Sequence, residues 1–156
     1  EELIEKIKSY GTPFVCLTGG EPLLQKGVFA LISQLCDLGF KLSIETSGSI
    51  DCSPVDPRAT LILDVKTPDS GAADSFLAGN LELQRPDTEF KFVICSERDF
   101  TWSEEFCRQH DLFEKYTVLY SPSFGKIAPG WLAEKILHEK SSARLQLQQH
   151  KYIWSP

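Results

Sequence analysis

The chain has 156 residues, of which 42% are hydrophobic and 24% charged, and its net charge is −6. This length suits a single domain with its own core, so we treat residues 1–156 as one domain. The acidic balance argues against binding of duplex nucleic acid, which depends on Lys and Arg displacing counterions. The sequence also contains no apolar run long enough for a membrane helix.

The five cysteines are widely spaced and form neither a CxxC nor a CxxxCxxC motif. An odd number in this pattern is typical of reduced thiols in the cytoplasm rather than of a disulfide framework. Cys16 and Cys95 lie in apolar runs, and Cys36 lies on a predicted helix, so we expect all three to be buried as small hydrophobic residues. None has the spacing of a metal-ligand set, and we predict no metal ligand in this chain.

Apolar periodicity predicts alternating helices and strands along the chain. Continuous apolar strands separated by helices indicate an α/β fold with a parallel sheet and helices packed on it. The predicted helices cover residues 1–9, 23–38, 103–110 and about 130–140, and the predicted strands cover 14–17, 41–45, 60–65, 89–94, 116–120 and 144–147.

Polar residues collect directly after the predicted strands. Because the carboxyl ends of parallel strands meet at one rim of the sheet, these clusters predict a ligand-binding mouth at that rim. The clusters are Thr18-Gly19-Gly20-Glu21, Glu45-Thr46-Ser47-Gly48, Asp64-Val65-Lys66, Ser121-Pro122 and Gln146-Leu147-Gln148-Gln149-His150-Lys151.

The run Thr18-Gly19-Gly20-Glu21-Pro22 is the most informative of these clusters. Two glycines remove two Cβ atoms, so a ligand can lie against bare backbone. Glu21 adds a charged acceptor, and Pro22 restricts the direction of the chain that follows. The alternative is a strand-to-helix turn in which glycine serves geometry alone.

Three motifs together resemble radical S-adenosylmethionine enzymes: Gly-Gly-Glu-Pro at 19–22, Glu-Thr-Ser-Gly at 45–48 and Asp-x-Lys at 64–66. More narrowly, with Gln149-His150-Lys151-Tyr152 near the end, the chain resembles the 7-carboxy-7-deazaguanine synthase family of queuosine biosynthesis. The resemblance covers nearly the whole chain. It implies a partial TIM-type radical SAM barrel, with a parallel sheet inside and helices outside.

The resemblance also implies a reaction and its cofactors. Members of this family convert 6-carboxy-5,6,7,8-tetrahydropterin to 7-carboxy-7-deazaguanine by ring contraction, as lyases. They use S-adenosylmethionine, a [4Fe–4S] cluster and Mg²⁺, and they take electrons from a reductant such as flavodoxin. We therefore expect a small-molecule pterin substrate and a homodimer.

The same resemblance assigns cofactor-binding residues. The run Gly19-Gly20-Glu21 would meet the ammonium of S-adenosylmethionine with carbonyl and carboxylate acceptors. The ribose and the methionyl carboxylate would be bound by polar residues after the next two strands, namely Thr46, Ser47, Asp64 and Lys66. Glu45 joins this set, since a carboxylate ending an apolar strand is costly unless it is paired. Two alternatives stay open: Ser47 could only satisfy a turn, and Asp64 and Lys66 could form a local ion pair.

For the substrate, the resemblance points to Thr18, His150 and Lys151 as contacts to the pterin. A structural hydrogen bond is the alternative role for His150. In related enzymes the terminal carboxylate reaches the substrate, which would give Pro156 the same role if it is the native terminus.

One departure from the family is serious. Radical SAM enzymes hold their cluster with three thiolates, usually in a CxxxCxxC motif before the Gly-Gly-Glu-Pro strand, and this sequence contains no such motif. We expect the chain to be the carboxyl-terminal portion of a longer enzyme or a degraded remnant, inactive by itself. The ligands of the cluster and of Mg²⁺ would then lie outside it, and we assign no catalytic residue. Two alternatives remain: an activase of glycyl radical enzymes, and a non-catalytic α/β binding module that has lost the cluster.

Overall fold

The computed structural model describes residues 2–73, 75–83, 85 and 87–154. Short 3₁₀ turns cover Pro22–Leu24, Pro68–Ser70 and Ala78–Glu82. The helices are α1 (Glu2–Ser9), α2 (Val28–Asp37), α3 (Glu97–Gln109), α4 (Leu112–Lys115), α5 (Pro129–His138) and α6 (His150–Ile153). The strands are β1 (Phe14–Leu17), β2 (Lys41–Thr46), β3 (Thr60–Val65), β4 (Glu89–Ile94), β5 (Thr117–Pro122) and β6 (Arg144–Leu145).

The six strands form one sheet in the order β1-β2-β3-β4-β5-β6, and every neighbouring pair is parallel. Strands that follow one another in the chain are therefore also neighbours in space. All carboxyl ends lie at the same rim, which confirms the predicted α/β fold and brings the polar clusters to one edge. We call this edge the carboxyl rim.

Helices cover one face of the sheet, and the hydrophobic core lies between them. Side chains alternate between the two faces of a strand, and the helix-facing positions are the most buried. The ring of Phe92 on β4 lies 5.9 Å from that of Phe106 on α3 and 5.8 Å from that of Tyr120 on β5. Phe100 on α3 lies 5.5 Å from Tyr120. These aromatic contacts fix the helix layer against the sheet.

The opposite face, which we call the inner face, is more polar. Glu45, Asp64 and Lys91 alternate with the core residues of β2, β3 and β4, and Asp64 is the register partner of Lys91. In a closed barrel this face would line the interior. The charged residues on this face distinguish it from the apolar face that packs against the helices.

The predicted helix 23–38 is wrong in its first turns. The chain instead forms the 3₁₀ turn Pro22–Leu24, and α2 begins only at Val28. Gly27 separates the two elements with φ +80°, a left-handed conformation that ends one helical segment before the next begins. Apolar periodicity does not reveal such a break, because the apolar side chains before and after Gly27 lie on the same face.

Other boundaries also differ. Helix α3 begins at Glu97 rather than near 103, because Ser96 caps it by accepting a hydrogen bond from the Asp99 amide. Its first turn is polar, so it shows no apolar period. Strand β5 continues to Pro122, and β6 ends at Leu145 rather than at residue 147. The short helices α4 and α6 were not predicted.

The expectation that Cys16 is buried is wrong. Cys16 is exposed because β1 pairs only with β2 and presents this residue on the uncovered inner face. Cys36 is buried as predicted, and Cys95 is half-buried. Within the described ranges no helix is both long and apolar enough to cross a membrane.

Candidate functional site

The carboxylate of Glu21 joins the ends of β1 and β2. Its Oε1 lies 2.8 Å from the Thr46 hydroxyl, and its Oε2 accepts from the Ser47 amide at 2.9 Å and from the Ser47 hydroxyl at 2.6 Å. Oε1 also accepts from the Leu23 amide at 3.1 Å, which caps the 3₁₀ turn. Two predicted cofactor residues, Thr46 and Ser47, are thus bonded directly to a third.

These hydrogen bonds determine the charge of Glu21. Burial alone raises the pKa of this carboxyl, but the hydroxyls of Ser47 and Thr46 and the amides of Leu23 and Ser47 outweigh it. The net pKa is lowered, so Glu21 is ionised at neutral pH. The motif therefore does more than turn the chain. It places an ionised carboxylate at the carboxyl rim, where hydrogen bonds connect it to the end of β2.

The two glycines before Glu21 leave the backbone open. Gly19 has φ +145°, and a Cβ built on either Gly19 or Gly20 would meet no atom within 4 Å. The space beside this backbone is free for a ligand, as expected from two missing side chains. The acceptors of Glu21 are directed to protein donors, so its main role in this structure is to position the glycine loop.

Further hydrogen bonds hold the segment that follows Ser47. Asn80, which is 1% exposed, donates to the carbonyls of Gly48 and Ile50 at 2.9 and 2.8 Å and accepts from the Cys52 amide at 3.0 Å. Gly48 has φ +66°, and a Cβ built there would lie 2.5 Å from the Phe76 ring. We call Glu21, Thr46, Ser47, Gly48 and Asn80 the rim junction.

Asp64 and Lys66 form the ion pair that the sequence left as an alternative. Their Oδ2 and Nζ atoms lie 2.8 Å apart, and both side chains are partly buried. The other oxygen, Asp64 Oδ1, is buried and has no hydrogen-bond partner among the described residues. A buried carboxylate oxygen without a donor is costly, so this atom is suited to accept from a ligand hydroxyl.

A cavity of about 560 Å³ opens at the carboxyl rim on the inner face. We call it the inner cavity. It is lined by side chains from β2 and β4 and by residues 145–150, 153 and 154. The polar side chains of this lining include Glu45, Lys91, Gln146 and His150. It therefore brings together residues that are more than a hundred positions apart in the chain.

Lys91 lines this cavity and was not predicted as a site residue. It is 6% exposed, and its Nζ lies 3.3 Å from Glu45 Oε2. The signal was present, because a lysine between Phe90 and Phe92 interrupts an apolar strand. Alternation along β4 places Lys91 on the inner face, opposite to Phe90 and Phe92.

The predicted site residues do not share one cavity, and Lys66 lines a separate one beside Trp102 and His110. His150 lies in the inner cavity together with Glu45, which we had grouped with the cofactor residues. Thr18, which we had grouped with the substrate residues, instead lines a second cavity of about 590 Å³ beside α1 and α2, together with Gly19, Gly20 and Glu21. Lys151 is exposed on α6 and is not among the residues found to line either cavity. Pro156 lies outside the described residues.

The described part of the chain contains no group of three or more His, Cys, Asp or Glu side chains that could hold a metal ion. Burial raises the pKa of Cys52 to about 11 and that of Cys107 to about 12, so both thiols are protonated at neutral pH. A [4Fe–4S] cluster is held by several cysteine thiolates that lie close together, and the described residues contain no such group.

Comparison with known proteins identifies the family. The 7-carboxy-7-deazaguanine synthase of Chlorobaculum tepidum is 40% identical to this chain, over 100% of the chain and 72% of the relative. That of Koribacter versatilis is 40% identical over 90% of the chain and 68% of the relative. This chain belongs to the 7-carboxy-7-deazaguanine synthase family. The resemblance seen in the motifs is thereby confirmed. No protein-family profile matches the chain.

Two solved structures share the fold. QueE from Escherichia coli superposes with a TM-score of 0.71 at 21% identity, over 94% of this chain and 61% of that one. SuiB from Streptococcus suis, bound to its precursor peptide SuiA, gives 0.63 at 14% identity, over 94% of this chain and 40% of that one. The chain thus spans less than two thirds of these structures. The fold is a partial radical SAM barrel, as predicted.

Membership of a radical SAM family implies S-adenosylmethionine and a [4Fe–4S] cluster as the family's cofactors. The open backbone at Gly19 and Gly20 and the free Oδ1 of Asp64 agree with the first of these. The relatives are enzymes that act on a small molecule, and the inner cavity has a size suited to one.

Proposed function

We propose that the protein is a radical SAM lyase that converts 6-carboxy-5,6,7,8-tetrahydropterin to 7-carboxy-7-deazaguanine. The observation that carries this proposal is the pairing at the carboxyl rim of an open glycine backbone, held by Glu21, with an inner cavity lined by Glu45, Lys91 and His150. The first suits the aminocarboxyl end of S-adenosylmethionine, and the second suits a planar polar ring. The names of the relatives agree.

The chain's own residues would bind and orient the two small molecules. Backbone carbonyls of Gly19 and Gly20 would accept from the ammonium of S-adenosylmethionine, and Asp64 Oδ1 would accept from a ribose hydroxyl. Lys66, already paired with Asp64, would face the methionyl carboxylate. When bound, S-adenosylmethionine and the cluster supply the radical chemistry, and the protein supplies orientation and exclusion of water.

The inner cavity would hold the pterin. Glu45 and His150 line it together, so we now assign Glu45 to the substrate rather than to the cofactor. Thr18, Lys151 and Pro156 stay predictions as substrate contacts. Mg²⁺, a flavodoxin-type reductant and a homodimer also stay predictions, and so does a cytoplasmic location, which rests on the cysteine pattern.

The reaction can be tested on the complete gene product that carries this chain. The protein is reconstituted anaerobically with iron and sulfide, then given S-adenosylmethionine, Mg²⁺, a reductant and 6-carboxy-5,6,7,8-tetrahydropterin. We expect mass spectrometry to detect both 5′-deoxyadenosine and 7-carboxy-7-deazaguanine. Iron and sulfide analysis of the same sample measures cluster content.

Each other outcome separates an alternative. Formation of 5′-deoxyadenosine without the ring-contracted product would retain a radical SAM enzyme and reject this substrate. A protein that binds no cluster and forms neither product would be a binding module. The relatives named above favour the synthase over an activase of glycyl radical enzymes.

A further inference from the structure

The ammonium of Lys91 is buried with hydrogen-bonding capacity to spare. A lysine ammonium has three N–H donors, and among the described residues its one ion-pair contact is Glu45 Oε2 at 3.3 Å. The side chain is only 7% exposed, so water supplies little compensation. Burial of a cation is costly unless its donors find acceptors, which makes an incompletely satisfied lysine in a cavity wall unusual.

The neighbours of Lys91 restrict where a further acceptor can lie. On one side in register is Leu119, an apolar residue that is 7% exposed. On the other side is Asp64, whose Oδ2 is paired with Lys66 and whose Oδ1 accepts no hydrogen bond from any described residue, Lys91 included. Glu45 and the inner cavity remain. The free donors of the ammonium are therefore available to a molecule that occupies this cavity.

Lys91 and Glu45 together present one donor beside one acceptor, 3.3 Å apart. A cyclic lactam has the complementary edge, with a ring carbonyl oxygen that accepts and an adjacent N–H that donates. The pterin ring carries this edge at its 4-oxo position. An amino group in place of the 4-oxo oxygen would instead bring a donor against the ammonium.

We propose that Lys91 is a specificity-determining residue, which donates a hydrogen bond to the ring carbonyl of the substrate and thereby selects lactams over amino analogues. Glu45 holds the ammonium in place. This inference rests on the proposed function, since it names the part of the same substrate that the inner cavity reads. It adds a residue that neither the motifs nor the predicted site contained.

The test compares two ligands on the complete gene product, by anaerobic isothermal titration calorimetry. One ligand is 6-carboxy-5,6,7,8-tetrahydropterin, and the other is its 2,4-diamino analogue, in which an amino group replaces the 4-oxo oxygen. Lys91→Met retains the length of the side chain and removes the donors. Lys41→Met is the matched control, because it makes the same change at an exposed position at the start of β2.

We expect the unaltered protein and Lys41→Met to prefer the 4-oxo ligand. In Lys91→Met the affinity for that ligand should fall roughly 10- to 100-fold, the range for a hydrogen bond to a charged group, while the diamino ligand changes little. Lys91→Gln, which keeps an N–H donor, should retain part of the preference. If Lys91→Met does not fold, the loss or retention of preference in Lys91→Gln decides the question.

The remaining outcomes are distinguishable. An unaltered protein that binds neither pterin overturns the proposed function. One that binds both ligands equally overturns the role of Lys91 and leaves the function standing. An equal loss of affinity for both ligands in Lys91→Met would show a structural role only, and unchanged preference in that variant would also reject the proposal.

Discussion

The rim junction and the inner cavity lie at the same edge of the sheet but use their polar atoms in opposite ways. In the junction, Glu21 and Asn80 direct their hydrogen-bonding atoms to other protein groups. In the cavity, Lys91 keeps donors without a protein partner in the described structure. Hydrogen bonds in the junction therefore hold the backbone conformation of the rim, whereas side-chain donors in the cavity are available to a ligand. Substitutions in the junction should therefore change stability first, and those in the cavity should change binding first.

The largest effect is expected for Asn80→Asp in the junction. The carboxylate would place acceptors against the carbonyls of Gly48 and Ile50, which now accept from Asn80 at 2.9 and 2.8 Å. Because the site is fully buried, we expect a loss of about 4 kcal/mol in the free energy of unfolding, measured by urea denaturation. Gln109→Glu is the control, because it also replaces a carboxamide by a carboxylate, but at an exposed position. A loss no larger than that of the control would contradict the junction's structural role.

The next effect is expected for Gly48→Ala. The new Cβ would meet the Phe76 ring at 2.5 Å, and alanine would adopt φ +66° with strain. Together these costs should lower the free energy of unfolding by about 3 kcal/mol. Gly125→Ala tests the backbone term alone, because Gly125 has φ +78° with no atom within 4 Å of its Cβ. Equal losses in the two variants would show that the Phe76 contact costs nothing.

A smaller effect is expected for Glu21→Gln. The amide would lose the charged acceptor of the Thr46 and Ser47 hydroxyls, at a cost of about 2 kcal/mol in the free energy of unfolding. Because the glycine loop would lose its support, S-adenosylmethionine affinity should fall as well, as measured by equilibrium dialysis. Glu134→Gln, on an exposed position of α5, is the control. Unchanged cofactor affinity would reject the role of Glu21 in the site.

The same carboxylate predicts a pH dependence. The folded pKa of Glu21 is lowered from its ordinary value of 4.5, so its stabilising contribution is present above about pH 4.5. That contribution is lost as the pH falls through the lower, folded pKa. The difference in unfolding free energy between the unaltered protein and Glu21→Gln should thus narrow below pH 4.5. If the difference in unfolding free energy between the two proteins stays constant below pH 4.5, the stabilisation does not come from an ionised Glu21.

The smallest effect on stability, and a clear one on binding, is expected for His150→Asn in the inner cavity. His150 is exposed on α6, so the free energy of unfolding should change by less than about 0.5 kcal/mol. The variant should bind the pterin roughly tenfold more weakly, because the loss of one hydrogen bond from the imidazole lowers affinity by about that factor. His138→Asn, on α5, is the control. A large loss of stability in His150→Asn would remove the contrast between the two regions.

Much of the fold was predictable because its strands are short, apolar and bounded by Gly, Pro and polar residues. The bounds of β1, β3 and β4 agree with the apolar runs at 14–17, 60–65 and 89–94. The break at Gly27 was not predicted, because the backbone conformation of one glycine leaves no mark on the apolar pattern. The exposure of Cys16 was not predicted either, because it depends on the position of β1 in the sheet rather than on its composition.

The sequence by itself determined the family, the parallel α/β architecture and the chemistry of the glycine motif, since these depend on local patterns and on motifs read along the chain. Only the tertiary structure decided which residues meet. Glu21 forms hydrogen bonds with Thr46 and Ser47, which lie 25 and 26 positions further along the chain. Glu45, Lys91 and His150 line one cavity. The physical reason is that alternation along a strand gives the face of each side chain, whereas the register between strands decides which distant residues on that face lie beside one another.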